Sequence, residues 1–376
     1  MRIAVVDTRG VPLMPCTPGK ARHLLKSGNA RPRRNKLGIF YLQLCYEQEP
    51  SNQPLVAGCD PGSKFEGFSV VGTRETVLNL MVEAPDQIKK AVETRRTMRR
   101  ARRFRKWRRP KRFNNRCNRK KSLPPSTRSR WEAKARIISH LLSILPLTAL
   151  CVEDVCAETR KGKHRRWNAA FSPVQVGKEH LYRLLAERGL HVHLKQGWQT
   201  KELREKQGLS KTKSKSKQSF DAHCVDSWVL AASISGACQP TCQGLWYVVS
   251  FRLKRRQLQK LQPAKGGVRK PEGSTRSLGL KRGTLVEHPK YGRCTVGGFD
   301  RHKHTISLHG YRTNKRLTQD ARVKDCSVLT WVAFRSWFIG EKKGPKGAKR
   351  PAPIAPPKGR PIPLRLKRPE HPGPVW

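Results

Sequence analysis

Between residues 95 and 121, 16 of 27 residues are Lys or Arg, with Phe104, Trp107 and Phe113 interleaved. No packed interior accepts such a run, because unpaired cations lose their hydration there. The segment must face solvent or a polyanion. Met98, Ala101, Phe104 and Trp107 recur three residues apart, and Arg, Lys, Met and Ala are good helix formers, so the part before Pro110 is expected to be a helix with a thin apolar stripe. Some 15 residues of it, at about 1.5 Å per residue, span roughly 20 Å, enough to lie across several nucleotide phosphates. A basic arm without regular structure is the alternative reading.

The remainder of the chain has the same sign. Eighty Lys and Arg stand against 26 Asp and Glu over 376 residues, and 80 − 26 leaves +54 with histidine neutral. Such a charge repels itself unless a polyanion neutralises it, which points to nucleic acid and away from small neutral metabolites. The longest apolar stretch, residues 141–152, is broken by Ser143, Pro146 and Thr148, so no membrane span is expected. The chain starts on a strand-like MRIAVVDT rather than a leader pattern, and a cytoplasmic location is expected, on the nucleoid when bound to a target. Eleven cysteines, several in apolar runs (Cys45, Cys59, Cys151, Cys224), suit reduced core thiols. Cys238 and Cys242 lack a second close pair that would complete a zinc site.

The expected organisation is α/β and multidomain. Residues 1–50 form a small α+β module, with strands at 3–6 and 38–44, a turn at 12–18 and a basic helix around 20–27. Residues 51–88 open a β-meander, residues 89–122 contain the arginine-rich helix, and residues 123–200 alternate helix, strand, helix and strand. Residues 201–250 hold a lysine-rich stretch (200–218, KTKSKSK), expected to be mobile in the free chain, then an apolar-faced helix over 219–233 and a strand over 246–251. Residues 251–280 are a basic, loop-rich segment. Residues 281–340 read as short strands of a small β-barrel, the last over 328–334, and residues 341–376, with ten prolines, as a flexible basic tail.

Acids stand where apolar runs end. Asp60 closes LVAGCD, Glu153 and Asp154 close ALCVED, and SFDAHCVDSWVLAAS carries Asp221, His223 and Asp226, with His223 and Asp226 on one helical face. Each has an ordinary explanation, Asp60 as a turn former before Pro-Gly and the others as helix caps. Taken together they match a ribonuclease H-like order: an acid on the first strand of a meander, an acid on a later strand, and His plus Asp on a late helix. Carboxylates gathered from distant segments need divalent cations between them, the requirement of two-metal phosphodiester hydrolysis. In that arrangement Asp60 bridges both ions, Glu153 and Asp226 each hold one, and His223 ligates a metal or positions the water.

GCDPGSKFEGFSVVG, ALCVEDV and FDAHCVDSW resemble the three parts of a split RuvC nuclease domain, and the arginine-rich helix resembles the bridge helix between the first two. With the Pro12-Leu-Met-Pro15 motif, the chain resembles the transposon-encoded IscB/IsrB family over residues 1 to 340. About 70 residues separate Glu153 from His223, too few for the HNH nuclease that IscB proteins insert there, so the resemblance is to the HNH-lacking IsrB branch. It implies catalytic and metal-binding roles for Asp60, Glu153, His223 and Asp226, with Mg²⁺ as cofactor and Mn²⁺ able to substitute on coordination grounds. It also implies a monomeric ribonucleoprotein with a guide omega RNA, double-stranded target DNA as partner, and nicking of the displaced non-target strand. The nucleic-acid-binding residues it implies on the bridge helix are Arg95, Arg96, Arg99, Arg100, Arg102, Arg103, Arg105, Lys106, Trp107, Arg108 and Arg109. The β-barrel is expected to read a short motif beside the target, with Arg301, Arg312, Lys315 and Arg316 contacting either base edges or phosphate. A stand-alone, structure-selective RuvC-like endonuclease and a non-catalytic RNA-binding protein are the competing readings.

Overall fold

A computed structural model describes residues 1–104, 123–154, 173–214, 216–251, 261–262, 267–268 and 276–340. It divides the chain into two units, Met1–Glu341 and Lys342–Trp376; the expected proline-rich tail lies outside the described residues. No described helix is long and apolar enough to cross a membrane.

The first module is a four-stranded sheet in the order β2-β1-β4-β3, from β1 (Ile3–Val6), β2 (Pro12–Cys16), β3 (Ala30–Arg34) and β4 (Phe40–Leu44), with α1 (Pro18–Lys26) across it. Residues expected as part of a turn are strand β2, and β3 is a strand that the sequence pattern does not single out. β2 accepts its two prolines because it is an edge strand, and β3 is the opposite edge, where Arg31 and Arg33 stay exposed. Thr17 caps α1 by accepting from Lys20 N at 3.2 Å. Cys45, expected in the core, follows β4 and is exposed. Asn35 fastens the module to the rest: its Oδ1 accepts from Leu37 N and Ile39 N, and its Nδ2 donates to His140 O at 3.4 Å.

The central element is a seven-stranded mixed sheet. The meander β5 (Leu55–Asp60), β6 (Phe65–Gly72) and β7 (Thr76–Glu83) is antiparallel; β8 (Leu147–Asp154) lies parallel to β5, and β9 (His191–Gln196) parallel to β8. β10 (Leu245–Ser250) runs parallel to β7 on the other side. Alternation along these strands sorts the residues to two faces. Ala57, Cys59, Phe68, Leu80, Leu150 and Val152 pack with Trp131, Ile137, Ile138, Leu141, Leu181 and Leu185, which come from α3 (Pro125–Leu142) and α4 (Pro173–Ala186). That face also buries a Lys134–Glu66 ion pair at 2.6 Å. On the opposite face Val56, Met81 and Ala149 pack with Trp228, Val229 and Ala232 of α7 (Val225–Ser235).

Glycines let α7 lie so close. A Cβ on Gly58 would stand 1.8 Å from Ser227 O, and one on Gly67 would stand 1.9 Å from His223 O. Ser69 Oγ bonds Ser227 Oγ at 2.9 Å, and Trp228 Nε1 donates to Thr76 Oγ1 at 2.8 Å. The single helix expected over 219–233 is in fact two, a short α6 (Phe220–His223) and α7, broken at Cys224. At that break the Cys224 carbonyl accepts from Ser69 Oγ of β6.

Helix α2 (Gln87–Phe104) follows the meander and starts earlier than the arginine run. A separate antiparallel five-stranded sheet combines β11 (Thr284–His288), β12 (Gly292–Asp300), β13 (Thr305–Gly310), β14 (Arg316–Ala321) and β15 (Ser327–Trp331) in the order β14-β13-β12-β11-β15. The strand expected over 328–334 is two strands that part company. β16 (Phe334–Ile339) leaves this sheet and pairs antiparallel with β10, where Tyr247 meets Trp337 and Trp246 meets Phe338. The C-terminal segment is thereby tied to the central sheet.

Gly58→Ala should lower stability by about 1–3 kcal/mol, since the added methyl meets helix backbone rather than a flexible side chain. Chemical denaturation checks this; an unchanged midpoint would contradict the close packing of α7 on β5.

Candidate active site

Strand alternation and register build the site. β5 and β8 are neighbouring parallel strands with Cys59 opposite Val152, so Asp60 and Glu153 end them side by side. Asp60 has the parity of Val56 and Gly58, and Glu153 that of Ala149; both therefore emerge on the face that α7 covers. Their side chains hydrogen-bond to each other. Asp226, in the first turn of α7 and 5% exposed, completes the group. His223 stands on Phe65 with ring centroids 4.9 Å apart, and its charge acts on Asp60. The four residues expected to form the site are thus neighbours, with His223 and Asp226 on two short helices that meet at Cys224.

Asp154, next to Glu153, has the opposite parity and a different role. Its Oδ1 accepts from Lys178 Nζ at 2.7 Å and Tyr182 Oη at 2.9 Å, both on α4, and its Oδ2 accepts from Gln196 Nε2 at 3.2 Å. It locks α4 and the end of β9 to the sheet, and these bonds hold its carboxyl below the usual range despite burial.

Two cations that the sequence pattern did not single out sit among the carboxylates. Residues expected to be mobile begin as α5 (Gly197–Lys206), from which Arg204 donates to Asp226 Oδ1 at 2.6 Å. The loop after α5 brings the Lys211 ammonium onto Asp226 Oδ2 and to 3.8 Å from Asp60 Oδ2. Lys211 hides among the lysines of KTKSKSK, and nothing in its spacing distinguishes it. Trp198, 67% exposed at the start of α5, is a second feature the pattern missed; neighbouring Gly197 approaches Glu153, and a Cβ there would stand 3.3 Å from Glu153 Oε1. An isolated tryptophan in a polar stretch was the available signal.

Burial, then the charge of Asp60 and its hydrogen bond, push Glu153 up to about 8. Burial also raises Asp60, with Lys211, the Glu153 hydrogen bond and His223 pulling the other way. Asp60 and Glu153 therefore titrate as a coupled pair in which burial and mutual charge favour retention of a proton. Burial disfavours the Lys211 ammonium, but Asp60 and Asp226 outweigh it and its pKa is raised. Among the described residues no group of three or more His, Cys, Asp or Glu side chains stands ready to hold a metal ion; the acids are joined through Lys211 instead. The donor set still suits a hard cation. It is all oxygen apart from His223, burial and mutual charge raise Asp60 and Glu153, and an ammonium already sits between two of its carboxylates.

Of the arginine-rich set, Arg95 and Arg96 are exposed on α2, Arg99, Arg100, Arg102 and Arg103 belong to its last turns, and Arg105, Lys106, Trp107, Arg108 and Arg109 lie outside the described residues. Arg301, Arg312, Lys315 and Arg316 are all exposed on the five-stranded sheet and its turns.

Residues 3–172 match the family model described as RRXRR protein, a span that includes Asp60, the arginine-rich run and Glu153 but stops before Lys211, His223 and Asp226. No curated protein matches. Solved structures similar to this chain include the Thermus thermophilus RuvC bound to Holliday junction substrate, at 14% identity and a TM-score of 0.28, and another Thermus thermophilus RuvC structure, at 15% and 0.27. Each match covers 50% of this chain and 99% of the other.

The raised pKa of Glu153 has a signed consequence. Its stabilising contribution is complete below its ordinary value of 4.5 and is lost as pH rises through about 8. Without divalent ions, the stability of the wild type relative to Glu153→Gln should fall between those pH values by on the order of 2 kcal/mol, allowing for partial solvent screening. Parallel urea-midpoint profiles for the two proteins would contradict the shared proton.

Proposed function

We propose that this chain is a metal-dependent DNA endonuclease of the RuvC kind, an RNA-guided nickase resembling the IsrB branch. The observation that carries the reading is the meeting of Asp60 and Glu153 on one face of adjacent parallel strands, with Asp226 brought to them by the helix that crosses that face. The run β7-β6-β5-β8-β9, an antiparallel meander followed by two parallel strands, is the ribonuclease H-like order, and it supports the assignment. The +54 charge supports a polyanionic substrate, and the match over residues 3–172 agrees with a family reading.

Asp60, Glu153 and Asp226 would hold the divalent ions, with His223 beside Asp60. When bound, Mg²⁺ or Mn²⁺ supplies activation of the attacking water and stabilisation of the leaving 3′ oxygen. The chain's own residues supply the rest. Glu153, whose carboxyl is raised by burial and by the charge of Asp60, gains its full negative charge as pH rises. His223, held on Phe65, is placed to orient water or scissile phosphate. Arg204 fixes the Asp226 carboxylate from behind. Trp198, exposed next in sequence to the Gly197 that approaches Glu153, offers a face on which a base of the single strand can stack.

One carboxylate cluster cuts one strand. The basic helix, the first module and the five-stranded sheet would grip the guide RNA and the target-adjacent duplex, leaving sequence recognition to base pairing. With co-purified RNA, supercoiled plasmid carrying a guide-matched target should be relaxed to nicked circles in Mg²⁺ and not in EDTA. Asp60→Ala should reduce nicking by at least about 10³-fold. Linear product would contradict the nickase, guide-independent cutting of branched DNA would favour a junction nuclease, and nicking that survives Asp60→Ala would remove the site assignment.

A further inference from the structure

The Lys211 ammonium contacts Asp226 and stands 3.8 Å from Asp60 Oδ2, on two of the carboxylates proposed to hold a divalent ion. Asp226 has both oxygens committed to cations, Oδ1 to Arg204 and Oδ2 to Lys211. Arg204 belongs to a helix packed against α7, and its side chain is 18% exposed; that of Lys211 is 38% exposed and reaches the site from a loop. The loop is tethered on both sides, by Leu209 N to Arg204 O at 3.1 Å and by Thr212 N to Asp221 O at 3.1 Å. The lysine is therefore kept at the site entrance while its long stem remains free to swing. Lys213 and Lys217 are exposed and follow closely in sequence, so an ammonium leaving Asp226 joins a basic segment that suits a phosphate backbone.

We propose that Lys211 is an exchangeable counter-ion. It neutralises Asp60 and Asp226 in the metal-free protein, is displaced when a divalent ion takes those oxygens, and transfers to a backbone phosphate of the bound strand. A single ammonium cannot serve both partners, so metal and nucleic acid each favour the state the other prefers, and by linkage each raises the affinity for the other. The site is thus loaded with metal mainly where a strand is present. This inference rests on the proposed metal-binding role of Asp60 and Asp226, and it adds the residue that couples that role to nucleic-acid binding.

The test measures Mn²⁺ binding to the full-length protein, freed of nucleic acid, by the electron paramagnetic resonance signal of unbound Mn²⁺, with and without a cleavage-resistant phosphorothioate single strand. Wild type should bind Mn²⁺ about tenfold more tightly with the strand, beyond what the strand binds alone. Lys211→Gln and Lys211→Met should bind Mn²⁺ without the strand nearly as tightly as wild type does with it, and the strand should add less than about twofold. Equal Mn²⁺ affinity of wild type and both variants without the strand, or an undiminished strand effect in both, would overturn the proposal. Asp60→Asn separates the two levels. If it removes Mn²⁺ binding while the Lys211 variants behave like wild type, the metal site stands and the exchange fails; if Mn²⁺ binding is untouched by Asp60→Asn, the underlying site assignment fails too.

Discussion

The organising constraint is the repulsion among three carboxylates held on one face of a sheet under a helix. Asp60, Glu153 and Asp226 come from segments far apart in sequence, and backbone packing alone decides where they meet. Their mutual charge must then be answered. In this structure it is answered by the ammonium of Lys211 and by the guanidinium of Arg204, and burial with mutual charge raises the Glu153 carboxyl. Such an arrangement is costly to assemble for stability alone, because buried charge seldom repays its desolvation. It makes sense as a site that exchanges these cations for others.

Much of the frame was legible beforehand because it depends on short-range periodicity. The meander, the strand ending in Glu153 and the following helix and strand come from apolar runs bounded by turn residues, and the structure places them within a few residues of expectation. Even the sorting of Asp60 and Glu153 to one face follows from alternation. The distinction between Glu153 and Asp154 follows from the same rule, but it needs the register of β8 against β5 before it can be drawn.

What could not be read depended on contacts distant in sequence. Lys211 is one lysine among many, and only the anchoring of its loop makes it different. The Cys224 carbonyl, at the break between α6 and α7, meets Ser69, 155 residues earlier. The departure of β16 from the five-stranded sheet depends on β10 offering an open edge and on aromatic pairs across it, neither of which local pattern can show. β2 and β3 were missed for another reason: proline and arginine argue against strands unless the strands lie at an edge.

The surplus of positive charge and the buried cluster of negative charge form one electrostatic design. A strongly basic chain draws in a polyanion, and against that charge three of its acids, Asp60, Glu153 and Asp226, meet on the central sheet. The central claim is that Asp60 stands at the middle of a divalent-ion site. It is tested most directly by anomalous diffraction from crystals of the protein grown with Mn²⁺ and a bound strand. The account predicts anomalous peaks in contact with Asp60, shared with Glu153 on one side and Asp226 on the other, with Lys211 withdrawn from both carboxylates. Crystals with Mn²⁺ bound elsewhere, Asp60 without an ion and Lys211 still on Asp226 would contradict it.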